Sequence, residues 1–180
     1  MKKLTLLVFT LGVLGAQAQD LKKNEFSISL GYMFEGEIYL WESNTYGSVG
    51  ETMLFKGEFD HYFSVLASRF GIGGYYCLGI PYYDGFEEII QHEIGAVLKF
   101  RFNVGDKFQI KPGAYFGFRV YGDNAGTGFG INGSVSLQYQ VSEKIKPFID
   151  LGILSQPAGG NDATDMTYSP TFQASIGMTF

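Results

Sequence analysis

The run Phe129-Gly130-Ile131-Asn132-Gly133-Ser134-Val135-Ser136-Leu137-Gln138-Tyr139-Gln140-Val141 alternates without a break. Phe129, Ile131, Val135, Leu137, Tyr139 and Val141 share one side with Gly133, while Gly130, Asn132, Ser134, Ser136, Gln138 and Gln140 share the other. Successive side chains of a strand point to opposite faces, so a period of two predicts a strand with one apolar and one small or polar face.

Seven further stretches repeat the pattern: Phe26–Glu35, Phe55–Phe63, Arg69–Ile80, Ile90–Phe102, Phe108–Tyr121, Ile145–Ile153 and Thr171–Phe180. Across all eight, the apolar face carries no Lys, Arg, Asp or Glu. The opposite face holds Gly, Ser, Gln and Tyr together with most of the basic residues. A soluble lipocalin-like ligand-binding barrel would turn its apolar face inward and need a charged exterior, and this polar face is too small and glycine-rich for that. The reverse arrangement fits better, with apolar side chains toward lipid and small or charged ones filling a narrow lumen. Open sheet edges are not tolerated in hydrocarbon, so the sheet must close. The expectation is an all-β fold: a closed antiparallel transmembrane β-barrel of eight strands in up-and-down order, with ten as the alternative count.

Composition agrees. The 180 residues are 46% hydrophobic and 17% aromatic but only 17% charged, with 25 Gly. Aromatic and branched residues are too plentiful for disorder, and Cys77, the single cysteine, has no partner for a disulfide. A pI near 5.0 argues against a nucleic-acid partner. The mean hydropathy of +0.04 hides the membrane signal, because alternation cancels within a window. At the start, Met1-Lys2-Lys3, an apolar Leu4–Gly15 and the small-residue site Ala16-Gln17-Ala18 before Gln19 form the three parts of a secretory signal peptide. Residues 1–18 are expected to be cleaved, leaving 19–180 as the barrel domain. Loss of Lys2 and Lys3 moves the net charge from −5 to −7.

The connections alternate in length. Short turns are expected near Val65–Ser68, Asn103–Asp106 and Ser142–Lys144, with longer loops at Glu37–Met53, Pro81–Glu88, Gly122–Thr127 and Ser155–Ser169. Short turns face the periplasm and long loops the exterior in bacterial barrels, which would place both termini in the periplasm. Glu37–Met53 has room for further β-structure around Ile38–Trp41.

With its signal peptide, eight alternating stretches and the C-terminal run Phe172-Gln-Ala-Ser-Ile-Gly-Met-Thr-Phe180, the chain resembles the small eight-stranded outer-membrane barrels of the OmpA/OmpX type. The resemblance implies a Gram-negative outer-membrane location. It also implies that Phe172, Ala174, Ile176, Met178 and Phe180 form the signal read by the barrel assembly machinery. It fixes no activity.

Inward positions collect Lys56, Arg69, Lys99, Arg101, Lys111, Arg119 and Lys146 against Glu35, Glu58, Asp60, Glu93 and Asp150. Eight strands leave room only for side chains, so these charges are expected to form a salt-bridged plug. A narrow ion-conducting, porin-like channel is the alternative. No catalytic, cofactor or metal site is expected. His61 and His92 fall on the apolar face as interfacial amphipaths, and the nearest His–Ser pair for a lipid-modifying enzyme, His61 and Ser64, lies on opposite faces. Gly128-Phe-Gly-Ile-Asn-Gly133 matches a dinucleotide fingerprint in letters only, since no helix follows it. The presumed outer loops carry Glu37, Glu42, Glu51, Asp84, Glu87, Glu88, Asp123, Asp162 and Asp165 among aromatic residues and no base. They predict a monomer with lipid around its wall and a structural or surface-interaction role, its outer face suited to divalent cations or a basic extracellular protein.

Overall fold

The computed structural model describes residues 23–40, 45–49, 51–63, 69–81, 90–121, 126–161 and 164–180. Eleven strands are present: β1 (Asn24–Met33), β2 (Gly36–Leu40), β3 (Thr45–Val49), β4 (Thr52–Tyr62), β5 (Phe70–Pro81), β6 (Gln91–Phe100), β7 (Phe102–Val104), β8 (Phe108–Tyr121), β9 (Gly126–Tyr139), β10 (Lys146–Asn161) and β11 (Thr164–Thr179). All pairings are antiparallel, and β1 pairs with both β4 and β11, so the sheet closes.

Register reduces the eleven segments to eight barrel strands. Met33 faces Thr52 and, three residues on, Gly36 faces Val49, so β2 and β3 prolong the β1–β4 hairpin without a slip. Likewise Lys99 faces Gly113 and Phe102 faces Ile110, making β7 the continuation of β6 past Arg101. Eight strands are therefore the count, and the β-structure expected around Ile38 is β2.

The loop expected over Ser155–Ser169 is mostly strand instead. β10 runs to Asn161 and β11 starts at Thr164, with register shifts between Leu154 and Gln156 and again before Gly160. Those irregularities, together with Pro157, Gly159 and Gly160, erase the period of two that marks the rest of the chain. The turn expected at Val65–Ser68 falls outside the described residues. At 105–107 the β7–β8 turn passes through Gly105, whose φ of 66° suits glycine.

The stagger of the barrel follows from one circuit of direct partners. Starting at Asn24, it passes His61, Ile72, Leu98, Ala114, Gly133, Ile153 and Phe172. The Phe172 carbonyl then takes the N–H of Phe34, so the circuit returns to the first strand ten residues higher. A shear of ten on eight strands tilts them by about 40°, and ten residues then climb about 25 Å along the axis. That is roughly the height of the apolar band of an outer-membrane barrel.

Aromatic rings mark both limits of this band. At the end holding Asn24 and Phe180, His61, Phe63, Phe70, Phe100 and Phe102 touch in sequence, with centroid separations of 5.1, 6.1, 5.3 and 6.5 Å. One circuit higher, Phe34 meets Tyr32 and Phe172 at 5.2 and 5.4 Å. Between them the outward residues Ile28, Leu98, Val135, Leu151 and Ile176 are exposed, as are most large apolar residues of the barrel wall. This orientation excludes a soluble barrel with an apolar interior.

Candidate functional site

The inward face builds a stack of ion-paired layers, and β1 supplies its base. Glu25, first in phase with Ser27 and Ser29 on the inward side, is 1% exposed. Its Oε1 accepts from Lys146 Nζ at 2.6 Å and Arg101 Nη1 at 3.3 Å, and its Oε2 from Lys111 Nζ at 2.5 Å. One carboxylate thus ties β1 to β8, to β10 and to the junction of β6 and β7. The Arg101 guanidinium also lies 3.9 Å from the centre of the Tyr62 ring. Sequence reading missed Glu25 because the first strand was begun at Phe26; one more residue of the same alternation would have placed it inside.

The middle layer joins Lys99 to Glu58 and Asp60, and Lys56 to Glu58 at 3.9 Å and Asp150 at 3.7 Å. Asp150 takes further hydrogen bonds from Ser134 and Ser136 at 2.9 and 2.5 Å, donors that β9 aims across at β10. Lys56 lies 4.5 Å from the Tyr115 ring centre. Above it, Glu93 accepts from Arg119 Nε at 2.9 Å, from Arg119 Nη2, and from the Tyr75 hydroxyl. Hydrogen-bonded partners of this kind are what make buried charge tolerable.

Ten of the residues expected inside share this network: Lys56, Glu58, Asp60, Glu93, Lys99, Arg101, Lys111, Arg119, Lys146 and Asp150. Two do not. Glu35 is exposed, because β1 ends at Met33 and Phe34–Glu35 interrupt the strand before β2. Arg69 sits half-buried at the turn preceding β5, where its carbonyl accepts the N–H of Arg101. Its side chain joins no ion pair among the described residues.

Three tyrosines of the expected inward face, Tyr62, Tyr75 and Tyr115, are buried in the lumen. Tyr75 and Tyr115 meet edge to face at 5.3 Å and pack with Val97, with half-buried Cys77 against them. Between these side chains the lumen keeps cavities of about 30 Å³, near Asn132 and Gln173, and about 10 Å³, near Ser27 and Thr179. Each is room for a water or two and no more.

The other candidates are placed as follows. Gly128–Gly133 lies within β9. His61 Nδ1 bonds Asn24 Oδ1 at 2.7 Å on the outer wall, while Ser64 lies outside the described residues. No cluster of His, Cys, Asp or Glu suited to a metal occurs among the described residues. Phe172, Ile176 and Phe180 are exposed on the outer face of β11, with Ala174 and Met178 half-buried between them. Glu37 and Glu51 are exposed. The side chain of Asp165 is not described, and Ala16, Ala18, Gln19, Glu42, Asp84, Glu87, Glu88, Asp123 and Asp162 fall outside the described residues.

No known protein family and no curated protein matches the chain. Solved structures do. Neisserial surface protein A aligns with a TM-score of 0.63 at 10% identity, over 88% of this chain and 96% of that one. The outer membrane protein OprG from Pseudomonas aeruginosa aligns with a TM-score of 0.58 at 12% identity, over 89% and 97%. At such identities the likeness shows the fold, a small closed barrel of the outer-membrane type.

Proposed function

We propose that the chain is an integral outer-membrane barrel with a side-chain-filled lumen, a structural or surface-interaction protein rather than a transporter or an enzyme. The observation that carries this reading is the lumen itself: its charges are cross-paired in layers, and the cavities between them among the described residues have room for a water or two. Eight strands at this shear enclose too little room for an aqueous channel, which takes roughly twice as many. Likeness in fold to two surface and outer-membrane proteins supports the location. The proposed orientation puts both termini in the periplasm and the acidic connections outside. There the excess of acid over base suits a divalent cation or a basic extracellular protein. The outward residues Phe172 to Phe180 are proposed as the assembly signal.

Planar-bilayer recording of the refolded protein tests the plug. Insertions without resolved conductance steps are expected; discrete openings in most insertions would instead establish a narrow ion-conducting pore. Membrane embedding is tested separately by an arginine scan. Leu151→Arg, near mid-height, is expected to cost about 2–4 kcal/mol in urea unfolding from lipid bilayers, and Val141→Arg, at the rim, about 0–1 kcal/mol. Equal costs at the two positions would remove the wall from the hydrocarbon.

A further inference from the structure

The larger of the two lumen cavities among the described residues, about 30 Å³, lies between the middle and upper ion layers. Lys56 lines it from the first, Glu93 and Arg119 from the second. Much of the polar lining is left unpaired by the protein itself. Lys56 Nζ stands 3.7 Å from Asp150 and 3.9 Å from Glu58, beyond hydrogen-bond reach, and makes no direct hydrogen bond among the described residues. Asn132 Oδ1 and the Tyr115 hydroxyl are buried without a partner, in residues 8% and 1% exposed. Gln91 and Gln173 are also buried and face the same space. Polar groups buried unpaired are costly, and several of them around one cavity mark a place built for a polar occupant.

We propose that this cavity binds one chloride ion. Charge excludes a cation, because the lining sets Lys56 and Arg119 against the single carboxylate of Glu93. Over the whole lumen, Glu25 and the ten network residues make six basic and five acidic side chains, so one monovalent anion brings the network to neutrality. Size excludes phosphate and sulfate, whose tetrahedra of oxygens exceed the room for a water or two. Water alone would serve the amides but leave Lys56 without an anion at bonding distance. Chloride accepts from the Lys56 ammonium, the Tyr115 hydroxyl and the Asn132 amide together. That amide donates once its NH2 takes the position now held by Oδ1, a turn that breaks no hydrogen bond among the described residues. The site is independent of the wall's contact with lipid and of anything bound at the outer connections.

Urea unfolding of the protein refolded into lipid vesicles tests the site, with chloride replacing gluconate at constant ionic strength. Gluconate is too large to enter. The urea midpoint is expected to rise with chloride, as mass action requires of a ligand held only by the folded state. Tyr115→Phe and Asn132→Leu, each removing a donor, are expected to lower that rise by about half or more. Ser27→Ala, at the smaller cavity, is expected to keep it. Crystals grown in bromide are expected to show an anomalous peak in the lumen within about 3.5 Å of Lys56 Nζ. A midpoint indifferent to chloride, a rise kept in full by Tyr115→Phe, a rise lost as fully in Ser27→Ala, or no bromide in the lumen would each overturn the site. Tyr115→Phe, which removes one oxygen, carries the comparison if Asn132→Leu does not fold.

Discussion

Glu25→Gln is expected to destabilise the barrel by about 3–5 kcal/mol, the cost of breaking a buried ion pair from one side. The substitution keeps the shape and removes the charge, leaving Arg101, Lys111 and Lys146 crowded around a neutral amide where one carboxylate had bound all three. A glutamine oxygen can still accept where Oε1 takes Lys146 and Arg101, but without the charge, and its NH2 faces Lys111 donor to donor, or the reverse if the amide flips. The effect should appear as a lower urea midpoint for unfolding from lipid vesicles with an unchanged slope. Glu35→Gln is the matched control. Glu35 is exposed beyond the end of β1, so its substitution is expected to change stability by no more than about 0.5 kcal/mol. Similar shifts for the two variants would show that Glu25 does not hold the base of the lumen together.

Gly95→Val is expected to prevent folding altogether. Gly95 lies between Tyr75 and Gly117 in adjacent strands, and a Cβ added to it would come within 2.7 Å of both Gly117 Cα and Tyr75 Cε1, and closer still to the Phe116 carbonyl oxygen. Gly117 also lies under the Tyr75 side chain, so the paired glycines make the track along which its hydroxyl reaches Glu93. Neither backbone nor ring can yield without breaking that contact. Heat-modifiable gel migration reads the result directly. Gly95→Val should run only as the unfolded form, whereas Gly133→Leu, with open space around the new Cβ, should keep the compact form. A compact Gly95→Val barrel would mean that the lumen has more slack than its packing suggests.

Gly95 and Glu25 differ in how readable they are in the sequence. Gly95 sat in plain view as a small residue on an inward face, yet nothing in the letters said that a tyrosine two strands' worth of sequence earlier would cross it. Glu25 was one position outside the stretch assigned to the first strand. Glu35, in phase with the same strand, reads as a lumen residue although the strand breaks before it. Errors of this kind gather at strand ends, because a period of two says which way a side chain points only while the chain remains extended. The same limit explains β10 and β11 beyond Leu154, where register shifts interrupt the alternation but the pairing continues.

By itself the sequence determined the wall: uncharged alternation in eight stretches leaves a closed barrel with lipid outside as the arrangement that buries no unpaired edge. It also determined most of the lumen's composition, since inward and outward are properties of single strands. Only the tertiary structure decided which charges meet. Glu25 and Lys146 lie 121 residues apart and touch, because a ten-residue climb per circuit sets which positions on different strands share a level. That stagger is a property of the closed sheet as a whole, and no stretch of the chain carries it alone.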